Sequence, residues 1–172
     1  MQKLELTLAI IKPHAVSNPV VRSFIRNILK NKFIVVKTKR LTLDTDTACR
    51  FYQEHVGKFF YNRLTTFMSS GCIDLHVLGH VNAIQLWRRF LGPTSVYKGQ
   101  FQDPYCLRGL FGISDTRNVA HGSDSQDSAE REIKFFFPEF SFYHWRLNDE
   151  EWFRKGPIVF NDHFFQHVKK LA

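Results

Sequence analysis

The sequence has few cysteines, and their arrangement excludes two common ways of stabilising a small fold. Three cysteines occur in 172 residues, Cys49, Cys72 and Cys106, and no two of them have the C-x-x-C spacing. An odd number of cysteines without that spacing indicates neither a disulfide framework nor a thiolate zinc site. The sequence is therefore typical of a protein from a reducing compartment.

Long apolar runs and a recognisable targeting segment are also missing. No run approaches the ~20 apolar residues that a membrane-spanning helix needs. The first six residues, MQKLEL, resemble neither a secretory signal nor an arginine-rich transit peptide. We therefore expect a cytoplasmic protein without a membrane span. A mitochondrial location stays open, although no clear transit peptide is present.

Acidic residues are scarce relative to basic ones. The chain has 16 Asp and Glu against 24 Lys and Arg, which gives a formal net charge of +8. This charge attracts polyanions such as nucleotides, nucleic acid and anionic membrane surfaces, but it does not choose among them. Because the basic residues are mostly scattered, a solvated surface accounts for most of them, and nucleic acid is not expected to be the main partner.

Apolar residues are plentiful enough to build one domain. The sequence is 44% hydrophobic and contains 18 phenylalanines, and a chain of this length buries roughly 70% of its unfolded surface. We therefore expect one globular domain followed by a C-terminal segment.

Strand and helix patterns alternate along the chain. Short β-rich runs predict strands at residues 6–11, 33–41, 73–78 and about 118–121, and helical spacing predicts helices after Pro19 and at 61–70, 82–91 and about 125–136. Asp44 and Asp46 fit an acidic helix start better than a metal pair. The pattern predicts an α/β (α+β) fold, a ferredoxin-like βαββαβ sandwich with a four-stranded antiparallel sheet, extra helices and a C-terminal extension.

Two segments are less regular. Residues 94–116 show no sustained period and contain three glycines, which predicts a functional loop. Near the C-terminus, Phe164, Phe165, Val168 and Leu171 have the spacing of a short amphipathic helix capped by Asp162. We expect that helix to dock against its own domain rather than to form a partner interface.

The most informative stretch is residues 118–124, NVAHGSD. Its histidine, His121, is a candidate covalent nucleophile, because an imidazole with an ordinary pKa of about 6.5 is largely unprotonated near neutral pH. Gly122 allows a close approach of backbone and substrate. In a regular strand Asn118 and His121 would point to opposite faces, so directing both at one ligand requires a bulge or turn, which we place near Gly122.

This stretch resembles the N-x-x-H-G-S-D signature of the nucleoside diphosphate kinases, and the set of motifs most resembles the divergent nucleoside diphosphate kinase 6 group. Other motifs of the family occur in the same order along the chain, between about residues 4 and 140: IKPHAV at 11–16, FY at 51–52, FF at 59–60, LGPT at 91–94 and LRG at 107–109. On this resemblance, residues 1–140 form the kinase-like domain and 141–172 a C-terminal extension.

The resemblance implies an enzyme that moves the terminal phosphate of a nucleoside triphosphate to a nucleoside diphosphate through a phosphohistidine, with ping-pong kinetics. It implies four catalytic residues, His121, Glu132, Asn118 and Lys12. It implies these nucleotide-binding residues: Lys12, Tyr52, Phe60, Leu64, Arg88, Thr94, Arg108 and Asn118. Mg²⁺ is the expected cofactor, held mainly by the nucleotide phosphates, so no metal-ligating residue is expected. Because an apolar clamp accepts the face of every base, broad base tolerance is expected.

Departures from the family pattern keep an alternative function open. His14 stands where the family has aspartate, Ser17-Asn18-Pro19 replaces a basic and glycine pair, and the segment 92–108 is about three residues longer than in the common hexameric enzymes. We expect a smaller assembly than a hexamer and weaker activity. The alternative is a weakly active nucleotide-binding scaffold that works through a partner protein, bound by the extended loop or the C-terminal tail.

Overall fold

A four-stranded antiparallel sheet forms the centre of the protein. The structure is a computed structural model that describes residues 2–170. The strands are β1 (Glu5–Ile11), β2 (Ile34–Thr42), β3 (Cys72–His80) and β4 (Ala120–Gly122), in the spatial order β2-β3-β1-β4. In β1 the residues alternate between the two faces of the sheet, as the period of a strand requires. Leu8 and Ile10 belong to one buried cluster, and Ala9 and Ile11 to another.

Helices cover both faces. They are α1 (Pro13–Ser17), α2 (Pro19–Lys32), α3 (Thr45–Phe51), α4 (Tyr61–Met68), α5 (Ala83–Leu91), α6 (Val96–Gln102), α7 (Leu107–Phe111), α8 (Gln126–Phe136), α9 (Phe142–His144) and α10 (Glu150–Lys155), with a 3₁₀ turn at Gln53–His55 and a π-helical turn at Trp145–Asp149. Residues of α3, α4 and α8 pack on one face, and residues of α2 and α5 on the other. The expected ferredoxin-like α+β fold is confirmed.

Side-chain caps fix where three of these helices begin. Asn18 accepts hydrogen bonds from the first turn of α2, Asp44 accepts from Thr47 N at the start of α3 (2.6 Å), and Ser125 accepts from Ser128 N at the start of α8 (3.2 Å). Each cap satisfies backbone donors that a helix start otherwise leaves unpaired. Asp44 is therefore the helix cap that the sequence predicted.

The segment 94–116 differs from the expected loop. It contains two short helices, α6 and α7, joined by a turn in which Cys106 Sγ accepts a hydrogen bond from Gly109 N (3.2 Å). Helices of seven and five residues are too short to establish the repeating apolar pattern that identifies longer helices. Tyr97 and Phe101 of α6 and Tyr105 of the turn are 69%, 71% and 86% exposed, whereas Phe111 of α7 packs against the core.

The predicted C-terminal helix is wrong. Strands β5 (Ile158–Asn161) and β6 (Gln166–Lys169) form a hairpin instead, and Leu171 lies outside the described residues. The turn of the hairpin includes Phe165, whose φ is 52° and whose side chain is buried under the guanidinium of Arg26, 3.8 Å from the ring centre. The hairpin packs against its own domain, since Thr38 Oγ1 donates to Phe165 O (2.7 Å). Within residues 2–170, no helix combines the length and apolar character needed to cross a bilayer.

Candidate active site

One cavity of about 520 Å³ collects all ten side chains that the sequence singled out for the site. These are Lys12, Tyr52, Phe60, Leu64, Arg88, Thr94, Arg108, Asn118, His121 and Glu132. They come from the end of β1, the α3–α4 region, α5 and the loop after it, α7, β4 and the turn before it, and α8. The cavity therefore exists only when the whole sheet and its helices are assembled.

A tight turn before β4 brings Asn118 and His121 to this cavity. Val119 has a φ of 77°, and Ala120 N donates to Asn118 O (3.0 Å). A positive φ is strained for a β-branched residue, and here it is held by the bond from Lys12 N to Val119 O (3.0 Å). The parity argument correctly required an irregularity, but it lies at Val119 rather than near Gly122.

Gly122 has a different purpose, which is close packing. A Cβ at this position would lie 2.5 Å from the Trp87 ring, too close for any side chain. Trp87 itself is fully buried and donates from Nε1 to His121 O (3.0 Å). The glycine thus lets a rigid indole support the backbone that carries His121.

His121 is oriented by a buried carboxylate. Its Nε2 lies 2.9 Å from Glu132 Oε2, and the same oxygen accepts a hydrogen bond from Ser123 Oγ (2.6 Å). Ser123 is fully buried and accepts in turn from Leu8 N (3.2 Å), while Glu132 is 4% exposed. This chain of contacts anchors the imidazole to the centre of the sheet through Nε2. The other ring nitrogen, Nδ1, takes no part in these contacts.

Lys12 is buried, and no carboxylate of residues 2–170 pairs with it. Its Nζ donates to Asn118 Oδ1 (2.6 Å) and Thr116 O (3.1 Å), both neutral acceptors, and the side chain is 5% exposed. Burial, and then the nearby charge of Arg108, lower the pKa of Lys12 to about 7. Asn118 is fixed by its own bond from Nδ2 to Thr94 O (3.1 Å).

Arg108 lies at the same end of the cavity and is held by backbone carbonyls. Three of its N–H groups donate to Asn118 O (3.3 Å), Gly92 O (2.9 Å) and Ala120 O (3.1 Å). Burial, and then the charge of Arg88, lower the pKa of Arg108 to about 10, which leaves it protonated at neutral pH. Lys12, Arg88 and Arg108 therefore form a positively charged end of the cavity beside His121.

The other end is apolar. Phe60 and Leu64 line it, together with Phe59, which is 91% exposed, and Tyr52, whose side chain is buried. Phe59 and Phe60 meet edge to face at 5.5 Å. Tyr52 packs against Phe51, and burial raises the pKa of its phenol, so Tyr52 stays protonated. The cavity thus pairs a cationic end with an aromatic end.

His14 lies beside the cationic end as a neutral residue. Burial, and then the charges of Lys12 and Arg117, lower the pKa of His14 to about 4. Both ring nitrogens are buried without a hydrogen-bond partner among residues 2–170, and the ring contacts Phe67 at 5.6 Å. A histidine here therefore supplies no counter-charge to Lys12.

Several lining residues were not selected from the sequence. They are Glu54, His55, Phe59, Arg63, Asp115, Thr116, Ala120, Gly122 and Asp124. Arg63 could have been found, since it follows Phe60 by three residues where a helix is predicted to begin, and residues three apart on a helix are neighbours. Asp115 and Thr116 carry no comparable signal, because the turns that bring them to the cavity are irregular.

The donors in this cavity suit a metal carried by a ligand rather than one held by the protein. The described part of the chain has no group of three or more His, Cys, Asp and Glu side chains that could hold an ion. Four basic side chains line the cavity instead, Lys12, Arg63, Arg88 and Arg108, and cations attract the anionic oxygens to which Mg²⁺ binds.

Comparison with known proteins defines the class. The family profile described as nucleoside diphosphate kinase matches residues 5–142. The chain belongs to the nucleoside diphosphate kinase family.

Individual relatives agree with this assignment. The chain is 45% identical to nucleoside diphosphate kinase 6 of Xenopus tropicalis, over 97% of this chain and 94% of the relative. Among solved structures, the nucleoside diphosphate kinase of Aquifex aeolicus is similar at 31% identity and a TM-score of 0.73, covering 81% of this chain and 97% of that one. A Halobacterium salinarum nucleoside diphosphate kinase in complex with CDP is 30% identical, with a TM-score of 0.70, covering 77% and 87%.

Proposed function

We propose that this protein is an active nucleoside diphosphate kinase that carries the phosphoryl group on His121. The observation that supports this most directly is the contact between His121 Nε2 and Glu132 Oε2 at 2.9 Å. A carboxylate at that distance keeps the proton on Nε2, which leaves the lone pair on Nδ1. Nδ1 is therefore the attacking atom, and Glu132 is positioned to stabilise the positive charge that develops on the ring.

The reaction consists of two matched displacements. In the first, the Nδ1 lone pair attacks the γ-phosphorus of a nucleoside triphosphate, the N–P bond forms, and the bond to the β–γ bridging oxygen breaks. The diphosphate leaves with that electron pair. In the second, a terminal oxygen of another nucleoside diphosphate attacks the phosphorus, and the P–N bond breaks. One site serves both nucleotides, which gives ping-pong kinetics.

The cationic end stabilises the transferring group. Arg108 uses three of its N–H donors on backbone carbonyls, which leaves two donors of the guanidinium for phosphate oxygens. Lys12 adds a point charge when a phosphate is near, and Arg88 and Thr94 line the same wall. Because phosphoryl transfer requires little other chemistry from the protein, positioning and charge stabilisation account for most of the catalysis.

Mg²⁺ fits this site as an ion bound to the nucleotide. When bound, it neutralises phosphate charge and helps to orient the chain of phosphates. The aromatic end receives the base, with Phe60 and Leu64 on its walls. The structure of the Halobacterium salinarum relative in complex with CDP shows that a member of the family binds a nucleoside diphosphate.

The test is to incubate the protein with Mg²⁺ and γ-labelled ATP and to measure the label that stays on the protein. We expect an acid-labile label that disappears in His121→Asn. His55→Asn removes the other histidine that lines the cavity and should keep the label. Loss of label from His55→Asn alone, or a label that survives mild acid, would overturn the assignment of His121.

A second candidate is a weakly active scaffold that works through a partner protein. The outward aromatic side chains of Tyr97, Phe101 and Tyr105 favour it, because exposed aromatic residues in proximity often mark a contact surface. The labelling experiment separates the two functions. A purified chain that binds nucleotide but never labels His121 would favour the scaffold.

A further inference from the structure

The aromatic end of the cavity contains polar groups that stacking does not require. Arg63 lies on α4, three residues after Phe60 and next to Leu64, and it lines the cavity with both of them. Asp115 and Thr116 line the same cavity. Phe60 and Leu64 are the proposed walls of the base site. Arg63 follows Phe60 by about one helical turn, and Asp115 is adjacent in sequence to Thr116, which Arg63 contacts.

Arg63 is held in place by a buried residue. Its Nε donates to Thr116 Oγ1 at 2.8 Å, and Thr116 is 6% exposed. The carbonyl of Thr116 accepts from Lys12 Nζ (3.1 Å), so the same residue connects the aromatic end to the cationic end. Only Nε is used, and across residues 2–170 the two terminal nitrogens of Arg63 form no hydrogen bond or ion pair. A fixed guanidinium therefore offers unused donors to the cavity.

Asp115 offers the complementary group. Its Oδ1 accepts from Val96 N (2.9 Å), which fixes the carboxylate, while Oδ2 has no hydrogen bond within the described chain. Nor does Asp115 form an ion pair with any cation of residues 2–170 within 4.0 Å, Arg63 included. The cavity thus carries unused donors on Arg63 and an unused acceptor on Asp115.

We propose that Arg63 and Asp115 select guanine nucleotides over adenine nucleotides, an inference that rests on the proposed function. Guanine presents the acceptors O6 and N7, which a guanidinium can bind together, and it presents N1–H and N2–H₂ donors that suit a carboxylate. Adenine instead has an N6–H₂ donor where guanine has O6, so it would leave the donors of Arg63 facing a donor. This selectivity replaces the broad base tolerance expected from stacking alone.

Direct binding measurements test the proposal without turnover. We expect the dissociation constants, measured calorimetrically with Mg²⁺, to increase in the order GDP, IDP, ADP. GDP should bind about tenfold more tightly than ADP, a ratio that corresponds to about 1.4 kcal/mol of binding free energy. IDP separates the contact of the N2 amine from the others, because its base keeps O6 and N1–H but lacks that amine. Arg63→Gln should remove most of the preference for GDP over ADP. Asp115→Asn should make GDP and IDP bind equally, because the N2 amine that distinguishes them then has no carboxylate partner.

Two further variants make the result specific. Arg63→Lys keeps the charge but loses the planar fork, so it should also lose most of the preference. Arg50→Gln is the matched control: Arg50 also donates to a threonine hydroxyl, Thr47 Oγ1 at 3.0 Å, but does not line this cavity. It should keep the parent ratio. Denaturation midpoints of all variants should match the parent, because Arg50, Arg63 and Asp115 are all exposed.

The outcomes distinguish this proposal from the proposed function. Equal affinities for the three diphosphates overturn it, and so does an Arg63→Gln variant that loses affinity for all three equally, which would mark Arg63 as a phosphate contact. Labelling of His121 is measured on the same preparations. Labelling without base preference would leave the phosphohistidine function intact and reject the selectivity. Guanine preference without labelling would support the selectivity and reject the phosphohistidine function.

Discussion

Two buried charged side chains on this sheet differ in whether the described chain supplies a counter-ion. Asp74, on β3, is 2% exposed and receives Arg22 Nε and Arg40 Nε at 2.6 Å each. Lys12, at the end of β1, is 5% exposed and is bonded only to neutral oxygens. The first charge has its counter-ions within the chain, and the second has none among residues 2–170.

The pKa values follow from this difference. Burial alone would raise the pKa of Asp74, but the hydrogen bonds from Arg40 and Arg22 outweigh it, and the pKa lies below the ordinary value. At Lys12 nothing opposes burial, and the pKa decreases to about 7. A buried charge with internal partners stabilises one arrangement of the chain. A buried cation without them, at the wall of an open cavity, is suited to an anion that arrives from outside.

The largest effect that we predict is on stability, through Asp74→Asn. The change leaves two arginines without their shared carboxylate and should lower the free energy of unfolding by about 2 kcal/mol. This is less than the ~3 to 5 kcal/mol of fully enclosed pairs, because the Arg40 side chain is 46% exposed and water screens it. Urea denaturation at pH 7 measures the loss. Because the folded pKa of Asp74 is depressed, its contribution should be present above about pH 4 and lost as the pH decreases through the folded pKa.

Asp162→Asn is the control for this measurement. Asp162 also forms an ion pair, with Lys30 Nζ at 2.8 Å, but its side chain is 79% exposed. The control should change stability by less than about 1 kcal/mol. If both variants unfold at the parent's urea concentration, Asp74 is not compensated as described here.

The second prediction concerns catalysis, and Lys12 is its subject. Lys12→Ala should slow labelling of His121 about thirtyfold, which corresponds to about 2 kcal/mol of lost phosphate stabilisation, with a much smaller effect on unfolding. Lys39→Ala is the matched control, since Lys39 Nζ also donates to a carbonyl, Phe136 O at 3.1 Å, but lies outside the cavity. Parent labelling rates in Lys12→Ala would remove Lys12 from the site.

Arg108 is a less selective probe than its sequence suggested. From the motif alone, Arg108→Ala should impair transfer while leaving folding nearly intact. In the structure the same guanidinium donates to three backbone carbonyls, and buried acceptors that lose their donor destabilise a fold. We therefore expect Arg108→Ala to lower both transfer and stability.

The sequence predicts the sheet well and the irregular segments poorly, for physical reasons. The strands and the longer helices carry their own periodicity, and caps such as Asn18 and Asp44 mark where helices begin. The C-terminal hairpin depends on distant contacts instead. Arg26 stacks on Phe165, and Lys30 pairs with Asp162. Apolar spacing within residues 162–171 contains no information about either partner.

The site residues were also predicted unevenly from the sequence. Resemblance to the family identified ten side chains that the fold brings to one cavity, including the pair His121 and Glu132. It did not identify Arg63, Asp115 or Thr116, which reach the cavity through turns and one side-chain bond. The turn at Val119 was required by parity but could not be located, because a β-branched residue is an improbable choice for a positive φ.

The smallest effect that we predict is a proton taken up when nucleotide binds. At pH 8 Lys12 is mostly neutral in the free protein, because its pKa is about 7. A bound phosphate raises that pKa by favouring the charged form, so binding should take up part of one proton at pH 8 and almost none at pH 6. Calorimetric titration of GDP in two buffers with different ionisation enthalpies measures the uptake. Lys12→Met should abolish it, and equal uptake in parent and variant would place the proton elsewhere.

The residue at position 14 should tune the same proton. His14 is neutral, and it lies close enough to Lys12 for the charge of the lysine to lower its pKa. His14→Asp would therefore place a carboxylate beside a lysine that has none among residues 2–170. The carboxylate should raise the pKa of Lys12 in the free protein, and the uptake at pH 8 should then decrease. His14→Asn, which keeps the site neutral, is the control and should leave the uptake unchanged. If His14→Asp takes up as many protons as the parent, the low pKa of Lys12 does not depend on having histidine at position 14 in place of the family's aspartate.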